Sequence, residues 1–419
     1  MNGGDKGAAM FSENDIPRLR PDIEIIPTSS DGRRALIIRD HLGLIPEPVL
    51  IQGDGLLLLG LIDGRRTLRD IQLALIRRRG GMMVTLESMG KILAELDEAF
   101  VLEGERFLRA RQLVYDDYRS LEIRSPAFAG RSYPGGAGDL ALYLGSILGR
   151  DQAPAGLADP RPILGLVSPH IDLEVGARVY AKAYSAVRQL RPRTVILLGT
   201  GHSLGEAHYS LTEKDFETPL GLVRTEKALV RKLKEAGGLA VADSDLSHRQ
   251  EHSLEFQLIF LQHLFGSEFR LVPVLCGSFA GALGRVRRPS GLAGAAEFLT
   301  QLKFVREEKS PDCLVVAGVD FSHIGPKFGH DRSASSLMPE ACDHDRRLIE
   351  ALSRGDAESF WAESRRVGDR FNVCGFSALA SLLEILPGAE GRLLDYEFWK
   401  EEATQSAVSF AALVFRDGH

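Results

Sequence analysis

Ile163-Leu164-Gly165-Leu166-Val167-Ser168-Pro169-His170 and Val195-Ile196-Leu197-Leu198-Gly199-Thr200-Gly201-His202 are two unbroken apolar runs, each closed by small residues and a histidine. A strand with one wet face alternates apolar and polar residues. A continuous apolar run between helical patterns is a strand buried on both faces, as in a parallel sheet with helices above and below. The same form recurs at residues 269–275, which lead into Cys276-Gly277, and at 314–318, which lead into Val319-Asp320-Phe321-Ser322-His323. Helical patterns alternate with these runs at 176–190, 226–235, 251–264 and 293–306, and follow them at 343–353, 358–366 and 375–385. Residues 394–399 and 407–415 alternate and read as an antiparallel pair. Residues 123–419 are therefore expected to form an α/β domain: a mixed, mainly parallel sheet covered by helices on both faces.

Upstream, residues 23–110 read as a small, mostly helical, winged-helix-like domain. Asp63-Gly64 is a turn, and Thr67 caps a helix carrying Leu68, Ile71, Ala74 and Leu75 at helical spacing. Thr85 starts a second helix with Leu86, Met89, Ile92, Leu93 and Leu96 on its apolar side. The run Phe100-Val101-Leu102-Glu103-Gly104 closes the unit as a strand-like ending. Residues 1–22, Gly-rich and polar, are expected to be disordered, and the charged stretch 111–122 to be a linker.

Composition narrows the function classes. Apolar residues make up 44% and charged residues 26% of the 419, and the formal net charge is -6. That charge provides no field for nucleic acid or an acidic membrane. Arg77-Arg78-Arg79 is the only basic cluster upstream, and so short a run reads as a solvated face. No apolar stretch approaches the roughly 20 residues of a membrane helix, and the first residues lack the apolar core of a signal peptide. Four cysteines without a CxxC pair fit a reduced, cytoplasmic protein.

In open α/β sheets ligands bind beyond the carboxyl ends of the strands. His170, His202 and the Asp320–His323 pair all stand at such ends and can meet there despite their distance in sequence. Each also has a plainer reading: His170 could merely end a strand after Pro169, Asp320 and Ser322 could form a turn, and Cys276 and Cys313 read as buried small hydrophobes. His252 and Glu255, three apart on a helix, share a face and could ligate metal or support a ligand imidazole, or be ordinary polar residues of a helix start, where Glu251 favours the dipole. Gly201-His202-Ser203-Leu204-Gly205 fits the G-x-S-x-G elbow of serine hydrolases. The helix that motif needs directly after Ser203 is not evident, since the next apolar stripe begins near 226. The Gly199-x-Gly201 spacing departs likewise from a dinucleotide loop.

Taken in order, several blocks resemble the Memo family, protein B of the AmmeMemoRadiSam system. They are Ser125-Pro126-Ala127-Phe128-Ala129-Gly130-Arg131-Ser132-Tyr133-Pro134, Ser168-Pro169-His170, Leu198-Gly199-Thr200-Gly201-His202, Glu251-His252-Ser253-Leu254-Glu255-Phe256-Gln257, Val272-Pro273-Val274-Leu275, Val319-Asp320-Phe321-Ser322-His323 and Asn372-Val373-Cys374-Gly375. The resemblance implies a fold similar to class III extradiol dioxygenases and a redox metal held by His170, His202 and Cys374. Asp320 and His323 would then act in catalysis, and His252, Glu255 and Ser322 would support the ligands or the substrate. Two imidazoles and a thiolate suit iron or copper, with zinc also compatible, better than magnesium or calcium. The chain departs from the family at Ile171-Asp172 and in a variable loop at 281–294. The upstream module resembles PqqD-like domains of radical-SAM peptide-modifying systems, through Val49-Leu50-Ile51, Leu61-Ile62-Asp63-Gly64-Arg65-Arg66-Thr67 and residues 93–102. The implied partners are radical-SAM and AMMECR-type proteins, with a small-molecule or peptide substrate. A non-catalytic peptide-binding adaptor using the same cleft is the alternative, and a serine hydrolase built on Ser203 a further one.

Overall fold

The computed structural model describes residues 11–30, 33–40, 42–45, 47–150 and 159–418. The chain divides after Ser120 into two compact units. In the first, β1 (Ile23–Ser30), β2 (Arg33–Asp40) and β3 (Val49–Gln52) form an antiparallel meander, followed by α1 (Asp54–Leu59), α2 (Leu68–Arg78), α3 (Leu86–Glu98) and α4 (Glu105–Ser120). Thr67 caps α2 in a reciprocal box with Asp70, and the Thr85 hydroxyl accepts from the Ser88 N–H. Leu68, Ile71, Met89 and Leu93 are fully buried, as their spacing requires.

Part of the expected disorder, residues 1–10, lies outside the described residues. The rest of that expectation is corrected. Arg20 is 2% exposed, holds Asp22 and Asp40 and donates to the Phe100 carbonyl. Its backbone neighbours pair with the strand-like ending, where Leu19 bridges Leu102. The stretch expected as a linker from 111 is the second half of α4 as far as Ser120. Its charges line a half-exposed helix.

The second unit contains, in order, β4 (Ile123–Arg124), α5 (Ala137–Leu148), β5 (Ile163–Ser168), α6 (Ala177–Val187), β6 (Thr194–Thr200), β7 (Tyr209–Leu211), β8 (Asp215–Thr218), β9 (Gly221–Thr225), α7 (Lys227–Gly237), α8 (His252–Phe265), β10 (Arg270–Cys276), α9 (Ala295–Glu308), β11 (Cys313–Gly318), β12 (His323–Ile324), α10 (Ala334–Ser353), α11 (Ala357–Val367), α12 (Phe376–Ile385), β13 (Glu390–Glu401) and β14 (Ser406–Arg416). The sheet order is β12-β14-β5-β11-β6-β10-β9-β8-β4, with β13 on β14 and β7 on β10. The centre, β5-β11-β6-β10, is parallel. The long β13–β14 hairpin is antiparallel and makes the sheet mixed. Alternate residues serve opposite faces: Ile196 and Leu198 pack with α9 and α12, Val195 and Leu197 with α6 and α8. The 281–294 segment, expected as a variable loop, carries the 3-10 turn Pro289–Gly291.

Register places the site. Gly318 lies opposite both Ser168 and Gly199, and Cys276 opposite Thr200. The central strands thus finish level, and whatever follows them emerges at one place. Against those ends lies the first turn of α8. It comes close because Gly199 and Gly318 have no side chains: a Cβ at Gly199 would lie 2.4 Å from Ser253 Oγ, and one at Gly318 2.4 Å from the Ser253 carbonyl oxygen.

Candidate metal centre

His170 follows β5, His202 follows β6, and His252 opens α8. One ring nitrogen from each lies within 4.8 Å of the other two. Ring centroids are separated by 5.2 Å (His170–His202), 5.0 Å (His170–His252) and 4.9 Å (His202–His252). Three ligand nitrogens about 2.0–2.1 Å from one ion in tetrahedral geometry are about 3.4 Å apart, so the rings would draw together by up to about 1.4 Å, within the reach of small side-chain rotations, to share one. Cys374, just before α12, brings Sγ to 3.3 Å from His170 Nε2. The structure therefore groups His170, His202 and Cys374, and adds His252 to them as a potential ligand.

The outer partners orient the rings. His170 Nδ1 lies 3.0 Å from the Gly318 carbonyl oxygen, so this nitrogen carries the proton and Nε2 offers its lone pair to the cluster. His202 Nδ1 lies 3.1 Å from each oxygen of Glu251, and His252 Nδ1 lies 3.3 Å from Glu251 Oε1. Asp320 accepts from the His170 and Ile171 N–H groups at 2.9 and 3.3 Å, and its second oxygen is 3.6 Å from His170 Nε2.

Burial pushes the His170 imidazole down to about 3, with repulsion from His202 added, and burial likewise pushes His252 to about 3. Both rings are neutral, the form that binds metal. At His202 burial acts in the same downward direction but is overcome by the Glu251 carboxylate and by Cys374, so this ring holds a proton well above the usual range. Burial raises the Cys374 thiol against the opposing pull of His202. Burial also raises Asp320 to about 6, against His323 and its two N–H donors.

The remaining candidates are placed as follows. His323 is half-buried and electrostatically coupled to Asp320. Its Nδ1 lies 3.0 Å from the Phe321 carbonyl and its ring meets Phe328 edge-on. Ser322, expected to support ligands or substrate, is buried away from the cluster. Its hydroxyl donates to Asp345, which also accepts from Ser409 and Tyr396. Glu255, expected beside an imidazole, is occupied elsewhere. It accepts from Arg124, the N–H groups of Ala127 and Phe128, and the Tyr133 hydroxyl. The carboxylate that faces the imidazoles is Glu251, which the sequence reading assigned only to the helix dipole. Its signal was its place as the N-cap of α8, where side chains fold back over the helix end. Ser203 is exposed, and turns rather than a helix follow it until β7. The nucleophile elbow is absent, and with it the structural basis for a serine hydrolase there.

A family model described as Memo-like protein matches residues 124–414. The chain belongs to the Memo family. A MEMO1 family protein of Aquifex aeolicus is 29% identical over 400 residues, covering 95% of this chain and all of that protein, so the alignment takes in most of the first unit as well as the Memo domain. A MEMO1 family protein of Methanopyrus kandleri is 31% identical over 313 residues, covering 70% of this chain and 99% of its own length. An uncharacterized protein of Escherichia coli K12 covers 60% of this chain and 99% of its own, at 11% identity and a TM-score of 0.36, too remote to add to the argument. Among the described residues of this Memo chain, no helix is long and apolar enough to cross a membrane.

Proposed function

We propose that this Memo protein is a metal-dependent redox protein whose centre is held by His170, His202, His252 and Cys374. The observation that carries the reading is the convergence of three imidazole nitrogens within 4.8 Å, with a thiol 3.3 Å from one of them. Nitrogen and sulfur donors without a ligating carboxylate suit iron, copper or zinc, and a redox role selects iron or copper. Held by three of these four side chains, such an ion would supply electron transfer and a Lewis-acid position open to oxygen or substrate. The chain's own residues do the rest. Gly318 and Glu251 hold the ring tautomers, Asp320 can take or release a proton near neutral pH, and His323 beside it is a second proton carrier. His202, with 34% of its side chain exposed, marks the side from which substrate enters.

Within this proposal the protein works in the cytoplasm with radical-SAM and AMMECR-type partners, on a small molecule or peptide. Free cysteines at 276, 313, 342 and 374 support a reducing compartment. The test is the metal content of purified protein, followed by copper or iron titration of wild type, His202→Ala and Cys374→Ser with oxygen uptake recorded. Near-stoichiometric metal, lost or weakened in both variants, is expected. Unchanged stoichiometry in both removes the proposed centre. Metal binding without oxygen uptake or redox cycling favours the adaptor reading.

A further inference from the structure

We propose that Glu251 is a shared positioning residue: one buried carboxylate sets the tautomer and donor strength of two imidazoles, His202 and His252, and thereby the redox poise of the ion they hold. This rests on the reading of the cluster as a metal centre. Glu251 is 3% exposed and sits at the N-cap of α8 in an extended conformation, φ -93° and ψ 121°, which turns its side chain back over the helix end. Oε1 accepts from the Ser253 N–H at 2.9 Å and faces His202 Nδ1 at 3.1 Å and His252 Nδ1 at 3.3 Å. Oε2 faces His202 Nδ1 at 3.1 Å and the His202 backbone N–H at 3.3 Å. A carboxylate in this position can only accept. His202 Nδ1 therefore carries a proton donated to Glu251, and the same anion 3.3 Å from His252 Nδ1 favours a proton there too, so that each ring turns Nε2 to the cluster, His202 giving up its second proton when an ion binds. The opposite tautomer would set two lone pairs against a buried anion.

Ring geometry agrees. The His202 and His252 rings stack with only 16° between their planes, as two rings served by one acceptor can, whereas His170 stands at 63° and 69° to them. His170 donates to a neutral carbonyl instead. The imidazoles are thus unequal. An N–H donated to an anion makes the opposite nitrogen a stronger ligand than one donated to an amide. Two of the three imidazoles are strengthened by the same charge, which favours the more highly charged, oxidised ion. Arg124 fixes the arrangement from outside by donating to the Glu251 carbonyl at 3.1 Å.

The test uses the full chain with zinc and copper as probes. In zinc-loaded wild type, nitrogen-15 NMR of the histidine rings is expected to show His202 and His252 protonated at Nδ1 and bound through Nε2. In Glu251→Gln, where an amide N–H must replace one acceptor oxygen, zinc affinity by chelator competition is expected to fall about 10–100-fold. The copper-loaded variant should have a higher midpoint potential than wild type, a change that loosened packing alone does not produce. Failure of wild type to bind either metal overturns the metal centre itself. Binding by wild type through Nδ1 at either ring, or unchanged affinity and potential in Glu251→Gln, overturns the role of Glu251 and leaves the centre standing. If Glu251→Gln does not fold, because the Ser253 cap is weakened, the wild-type tautomers decide.

Discussion

Gly318→Ala tests whether the close approach of α8 to the strand ends sets the ligand geometry. The added Cβ would lie 2.4 Å from the Ser253 carbonyl oxygen and 2.7 Å from Gln257 Cγ. Real Cβ contacts do not fall below 3.0 Å, so the strand end and the first turn of α8 must part by at least 0.6 Å (3.0 less 2.4). The Ser253 atom is backbone, and no rotamer change relieves the contact. Glu251 and His252 ride on that same turn, while His170 is anchored to the Gly318 carbonyl on the other side of the gap. Metal–ligand distances tolerate only about 0.2 Å. The expected result is a loss of zinc or copper affinity of at least about tenfold by chelator competition. Overpacking should also cost about 1–3 kcal/mol in stability, read as a melting point several degrees lower. Gly145→Ala is the control. Gly145 lies within α5, with nothing within 4 Å of an added Cβ. It should stabilise by up to about 1 kcal/mol and leave metal affinity untouched. A Gly318→Ala protein that melts lower yet binds metal as wild type does would refute the link between strand-end packing and ligand placement.

Three further outcomes are expected. Zinc uptake should release about two protons per ion near neutral pH, because the metal-free protein keeps a proton on His202 and on Cys374, whose proton affinities are both raised, while His170 and His252 have none to give. The sign follows: affinity rises with pH, and titration calorimetry in buffers of different ionisation heat that showed no proton release would contradict the assigned charges. Arg124→Met strands a buried carboxylate at Glu255 and removes donors from the His248 and Glu251 carbonyls, so unfolding by denaturant should show a loss of about 3–5 kcal/mol, partly recovered by adding Glu255→Gln; equal stability of all three proteins would show that the pair does not hold the 124–134 segment. A fluorophosphonate probe should not label Ser203, which lacks the helix of a nucleophile elbow; labelling that disappears in Ser203→Ala would restore the hydrolase reading.

The central sheet was legible because its strands are buried on both faces, which leaves a mark in composition alone. In Val195-Ile196-Leu197-Leu198 every residue is fully buried, odd positions on one face and even positions on the other. Edge strands leave no such mark. Of Asp215-Phe216-Glu217-Thr218 only Phe216 and Thr218 are buried, and the segment is a strand because β9 and β4 pair with it. The first turns of α10 were hidden by Pro339, which lies inside that helix, where propensity alone would end it. The meander β1–β3 escaped for a related reason: its interior is completed by helices later in the chain, with Ile38 packing among Leu68, Met89 and Val101.

At the site, strand-end logic located His170 and His202, since parallel strands in level register deliver their following residues together. That logic could not reach the division of labour between Glu251 and Glu255. The rule that residues three apart share a helix face pairs His252 with Glu255, and it holds geometrically. A shared face does not decide which donors tertiary structure brings to it. Arg124 arrives from 131 positions away and, with two backbone N–H groups and Tyr133, takes all of Glu255. Glu251 stands one residue outside the helix, where the face rule has no force, and its extended backbone sends the side chain across the helix end to the rings. A buried carboxylate must be matched by donors wherever they originate. For Glu255 they come from the segment that closes over α8, and for Glu251 from the His202 imidazole and the backbone N–H groups of His202 and Ser253. Exchanging the two roles would leave either an arginine or a pair of Nδ1 protons without an acceptor, so the arrangement is fixed by the whole set of donors and not by the spacing within one helix.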